Sequence, residues 1–74
     1  MTLRFHRTVY AGTAIDAALQ RFAHLANTTF ERREEGDYFV VEVTSTTDAR
    51  TKKIARELGN FALGLTIENG GANP

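Results

Sequence analysis

Two histidines, His6 and His24, are the side chains of this 74-residue chain best suited to move a proton near neutral pH. A catalytic imidazole needs one group that orients it and another on which it acts. No acidic residue stands at a spacing that would orient either histidine, and no serine joins them in a nucleophile motif. Cysteine is absent, which removes thiol nucleophiles, thiolate metal sites, iron–sulfur ligation and disulfides. The remaining ligand types do not fall at metal-site spacings. Gly12, Gly36, Gly59 and Gly64 are scattered, and none opens a phosphate-cradling G-x-G-x-x-G pattern. The expectation is a protein that is not an enzyme, with no catalytic, cofactor-binding or metal-binding residues.

A second group, Arg50, Lys52, Lys53 and Arg56, gathers four cations within two helical turns. Near a helix N-terminus, cations oppose the macrodipole by a few tenths of a kcal/mol each, so local stability does not select them. An anionic partner would. The plainer reading is a solvated face, with Lys53 paired to Glu57 one turn later. Nine basic and nine acidic residues cancel, leaving no net field to steer nucleic acid or a membrane surface. Only Tyr10 and Tyr38 could stack on bases, and the RNA-binding K/R-G-F/Y-G/A-F-V run is missing. Nucleic acid is therefore an unfavoured partner.

The elements that must position these residues are legible from period and punctuation. Thr2 to Tyr10 alternates as a strand, with Leu3, Phe5 and Val9 on one side and Arg4, His6 and Thr8 on the other. Arg7 breaks the apolar side, so regular pairing is expected to end near His6. Thr13 is the expected N-cap of a helix from Ala14 to Ala26, with Asp16 completing a weak capping box. Ile15, Ala18, Leu19, Phe22 and Leu25 form its buried stripe, and Asn27 suits a left-handed close. Thr28 to Glu34 reads as a strand whose charges discourage stray pairing. Glu35-Gly36-Asp37 is a hairpin turn, and Tyr38 to Val43 is the strongest strand of the chain. Phe39, Val41 and Val43 share one face, while Tyr38 and Val40 make the other partly apolar. That pattern places the strand centrally, or asks a partner to cover its outer face.

A second helix follows a cap at Thr47 or Asp48, with Ile54, Ala55 and Leu58 as its core stripe. The segment Phe61 to Glu68 fits two periods. Phe61, Leu63, Leu65 and Ile67 alternate as a fourth strand, whereas Phe61, Ala62 and Leu65 continue the helical stripe of Ile54 and Leu58. The helical reading must carry Gly59 and Gly64 at about 1 kcal/mol each. The expected fold is therefore α+β: a small two-layer sandwich, βαββα, with helices on one face of an antiparallel sheet. The strand reading would make it ferredoxin-like, βαββαβ. One domain spans 1–68, and 69–74 is expected to be a disordered tail.

In order, these landmarks resemble the small D component of the His-Xaa-Ser peptide-modification system, the HxsD-like family. Phe5-His6-Arg7-Thr8-Val9-Tyr10 matches its F-x-x-x-x-Y element, and Ala14 to Phe22 matches its Ala/Ile-rich helix ending in an aromatic. A hairpin with an acidic turn follows, and Glu57 to Leu63 fits an E-[FL]-x-N-x-x-L pattern. In that system, radical S-adenosylmethionine enzymes act on a repeat-containing ribosomal peptide. The resemblance implies an accessory, peptide-recognising subunit, with no catalytic residues to carry over.

A domain this short buries only about 60% of its unfolded surface, which favours support from a partner protein or a second copy. The first strand is the expected partner-binding edge, with Arg4, Phe5, His6, Tyr38 and Val40 as candidate residues. It is left open in the three-stranded fold and covered if Phe61 to Glu68 is a strand. The alternative is a small regulatory module binding an anion through Arg50, Lys52, Lys53 and Arg56. The basic, alternating N-terminus is unlike a signal peptide, and no apolar run approaches the roughly 20 residues of a membrane span, so a cytoplasmic location is expected.

Overall fold

The computed structural model describes residues 1–68; the tail expected at 69–74 lies outside the described residues. The element order is β1 (Thr2–His6), α1 (Gly12–Phe22), β2 (Thr29–Glu35), β3 (Tyr38–Thr44) and α2 (Asp48–Glu68). The three strands form one antiparallel sheet in the order β1-β3-β2, and the helices pack on one of its faces. The α+β sandwich with a central third strand is as the alternation predicted.

The hairpin closes through Gly36-Asp37, with Glu35 opposite Tyr38. Gly36 takes φ +59° while Asp37 keeps a negative φ, the sign pattern of a type II′ turn, whose first central residue is glycine. Leu3 and Phe5 from β1, Phe39, Val41 and Val43 from β3, and Phe30 from β2 point at the helices. They meet Ile15 and Ala18 of α1 and Ile54, Ala55, Leu58 and Ala62 of α2.

One open alternative is decided and three expectations change in part. First, Phe61 to Glu68 is helix, so there is no fourth strand among the described residues and the βαββαβ order is not formed. Tertiary contacts decide for the longer helix. Phe61 sets its ring edge-on to Phe22 of α1 at 5.8 Å. The Thr66 hydroxyl bonds the Ala62 carbonyl at 2.9 Å and accepts the Ala11 amide at 3.3 Å. Leu63 and Ile67, core residues in the strand reading, are 37% and 68% exposed.

Second, β1 ends at His6 as expected, but the residues after it leave the strand pattern: the chain turns, with the Val9 and Tyr10 amides both donating to the His6 carbonyl. Tyr10, not Val9, then reaches the core, 4.8 Å from Phe5 and edge-on to it. Third, α1 starts at Gly12 with Ala11 as N-cap and no side-chain cap, so Thr13 does not cap it. The start is fixed by close approach: a Cβ on Gly12 would lie 3.1 Å from the Phe39 ring. Fourth, α1 ends at Phe22, short of Ala26; Asn27, at φ +55°, turns the loop behind it. Of the two expected caps for α2, Thr47 serves, its hydroxyl accepting the Arg50 amide at 3.1 Å.

Candidate functional site

The two borders of the sheet are built differently. Along β2, Arg32 and Glu34 turn inward among the helix-facing side chains, the device by which edge strands repel strangers. Arg32 Nε, itself closed to solvent, lies 2.7 Å from Asp16 Oδ1 but off the line of a well-directed hydrogen bond, so charge holds the pair. Arg32 also lies 5.3 Å from the Phe39 ring centroid. Asp16, expected at the helix cap and in water, thus ties α1 to β2.

Within Thr2–His6, β1 has no inward charge. Its hydrogen-bonding pattern follows from its two ends. Met1 exchanges both backbone bonds with Val43, and the Arg7 amide donates to Asp37 at 2.9 Å. Antiparallel pairs alternate, so Leu3–Val41 and Phe5–Phe39 are bonded pairs too. The N–H and C=O of Thr2 and Arg4, and the N–H of His6, therefore point away from the sheet. The His6 carbonyl is already taken by the turn. Thr2 to His6 is thus an open pairing edge among the described residues.

The sequence-predicted partner residues divide around this edge. Arg4, His6, Tyr38 and Val40 lie on the face of the sheet away from the helices, while Phe5 is buried among the helices and serves the core. Val40 is fully buried and stands between Arg4 and Arg33 in register. Arg33 Nε meets Glu35 Oε2 at 2.5 Å, and Arg4 lies 3.6 Å from Glu35. The bond from Arg33, then its charge and that of Arg4, lower the Glu35 carboxyl pKa, and the same bond raises that of the Arg33 guanidinium. Val40, fully buried, is therefore not an apolar patch open to a partner. Tyr38 remains 38% exposed, edge-on to His6 at 4.9 Å. The Thr8 amide and hydroxyl meet His6 Nδ1 at 3.2 and 2.7 Å, which makes Nδ1 an acceptor and puts the ring proton on Nε2. His6 thus holds a turn, and His24 is exposed just after α1.

The basic cluster also divides. Arg50 donates to Ser45 Oγ at 2.9 Å and to the Ala26 carbonyl at 3.3 Å, bracing the loop that follows α1 against the loop that precedes α2. Lys52, Lys53 and Arg56 are exposed and have no ion-pair partner among the described residues; the expected Lys53–Glu57 pair is not formed within 4.0 Å. Sequence reading missed one hollow of about 310 Å³ between the helices, lined by Phe22, Leu25 and Phe61 and rimmed by Arg21, His24 and Glu57. Its apolar walls belong to the stripes of the two helices, where Phe22, Leu25 and Phe61 pack against the core while staying partly exposed. Among the described residues no cluster of three or more His, Asp or Glu could hold a metal, and no helix is long and apolar enough to cross a membrane.

Comparison with protein-family models, curated proteins and solved structures gives no match to this chain.

Proposed function

We propose that this chain is a non-enzymatic binding domain that takes up an extended peptide, or a strand of a partner protein, along β1. The observation that carries the reading is the outward row of backbone groups at Thr2, Arg4 and His6, which α2 leaves uncovered by forming a helix where a fourth strand could have lain. Strand addition derives its affinity from such groups and its specificity from alternate side chains. The order of motifs shared with the His-Xaa-Ser D component suggests the setting: an accessory, substrate-recognising subunit of ribosomal-peptide modification in the cytoplasm. The anion-binding alternative loses Arg50 to the loops and retains Lys52, Lys53 and Arg56.

The test is Arg4→Pro, titrated by NMR with a synthetic peptide of His-Xaa-Ser repeats. Proline removes an N–H that serves no internal bond, and edge strands tolerate it. Arg4→Ala keeps that N–H and controls for the lost Glu35 contact. Binding should weaken more than tenfold in Arg4→Pro, with a cooperative thermal transition retained, and persist in Arg4→Ala. Equal weakening in both variants, or a peptide that shifts no β1 amide of the parent, would sink the proposal.

A further inference from the structure

We infer that the segment accepted at β1 is acidic on its helix-facing side and carries an apolar side chain at one end; this rests on the proposed edge reading. The argument begins with the orientation of α2. Phe61 faces α1 through Phe22, whereas an added Cβ on Gly59 would lie 4.0 Å from the Phe5 ring of β1. The flank of α2 next to β1 is thus the one centred beside Gly59. Residues seven before, three before and four after a given helical position share its side, which adds Lys52, Arg56 and Leu63. All three are exposed.

The direction of α2 follows from its two ends. Thr51 Oγ1 accepts the Ser45 amide just after β3, at the end of the sheet where Met1 pairs with Val43. Thr66 receives the Ala11 amide beyond the other end of β1. The helix therefore runs parallel to β1, with Lys52 near the Thr2 end and Leu63 near the His6 end. The eleven-residue rise from Lys52 to Leu63 is about 17 Å. Five residues of strand span about the same length. A strand added beside β1 turns every second side chain toward this flank and meets two cations and then a leucine.

Charge is what selects the occupant. Arg4, Arg7, Arg32 and Arg33 each lie within 4.0 Å of a carboxylate, so their charges are answered inside the molecule. Lys52 and Arg56 have no such partner among the described residues; Asp48, one turn before Lys52, is exposed on the same flank but forms no ion pair within 4.0 Å, so the flank keeps an excess of positive charge. Carboxylates on a bound strand would answer them. Leu63, with Ile67 one turn on, offers an apolar seat at the far end.

The experiment compares three synthetic peptides of one length by NMR titration and calorimetry: alternating Glu and Thr ending in Leu at either terminus, the same with Lys for Glu, and the same with Gln for Glu. The acidic peptide should shift the Thr2, Arg4 and His6 amides together with those of Lys52, Arg56 and Leu63. It should bind about tenfold tighter than the Gln peptide at low salt and lose most of that advantage by roughly 0.5 M salt. The double variant Lys52→Glu, Arg56→Glu should reverse the order of the Glu and Lys peptides while keeping the parent spectrum elsewhere. If all three peptides shift β1 with equal affinity, the charge inference fails and the edge reading stands. If none shifts β1, both fail. Shifts confined to α2 and unchanged by Arg4→Pro would point to a plain anion surface and overturn the inference.

Discussion

Small residues in this chain are set by what surrounds them. Gly12 is held by the Phe39 ring, which leaves no room for a side chain without movement. Gly64 is the opposite case: it sits in the interior of α2, exposed, with open space where a Cβ would stand. Glycine in a helix interior costs about 1 kcal/mol relative to alanine. Gly64→Ala should therefore raise stability by about 0.5–1 kcal/mol in urea unfolding, with no change of slope. A destabilised variant would mean that this stretch is not helical in solution. Thr66 shows what composition conceals. A threonine near the end of an apolar stretch looks like a surface residue, yet its hydroxyl is buried and receives the amide of the residue that caps α1.

Among the elements, β3 and the hairpin were legible because period and turn chemistry agree there. The stretch 61–68 was not, because its apolar residues satisfy both a period of 2 and a period of 3.6. What separates the two is long-range: a ring on α1 and an amide at its start. The same limit hid the sealing of Val40. Its apolar character was visible, but not that Arg4 and Arg33 stand on either side of it. The start of α1 was misplaced because Thr13 is a good cap by type, whereas packing on Phe39 begins the helix earlier.

The open face of the sheet carries a pH dependence of definite sign. Glu35 has a pKa lowered in the folded state by its bond to Arg33 and by neighbouring positive charge. A carboxyl of that kind contributes stability that is present above its unfolded pKa and lost as pH falls through the folded one. Acid titration should therefore weaken the hairpin, and Glu35→Gln should flatten that dependence. Because the pair is exposed, 0.5 M salt should reduce the difference between parent and variant. An unchanged acid profile in Glu35→Gln would assign the effect to other carboxylates.

For the whole molecule, the two-layer arrangement leaves a small core. Leu58 is 1% exposed and touches both layers through the cluster it shares with Phe5, Val41 and Ile15. Replacing a buried leucine by alanine costs about 2–5 kcal/mol. Domains of ordinary stability hold only about 5–15 kcal/mol, and one this short sits low in that range. Leu58→Ala should thus populate unfolded chain substantially at 37 °C, seen as a lowered and broadened thermal transition by circular dichroism. A midpoint within a few degrees of the parent would show that the core relaxes around the cavity.

The central position of β3 bears on aggregation. Tyr38 to Val43 combines strong β-propensity with a single charge at Glu42, the makeup of a segment that stacks with its own copies. In the folded chain β2 and β1 occupy its two pairing edges, the helices cover one face, and on the other Val40 is fully buried between Arg4 and Arg33 in register. The β2 side is tethered by a two-residue turn, whereas β1 reaches β3 only after α1 and β2 have intervened. Long-range pairings form late and open early relative to hairpins. Detachment of β1 would uncover the bonding groups of Phe39, Val41 and Val43 in one step. The strand that offers an edge to visitors is therefore also the guard over the segment best able to assemble fibrils, and an occupied edge would lengthen the time it stays closed.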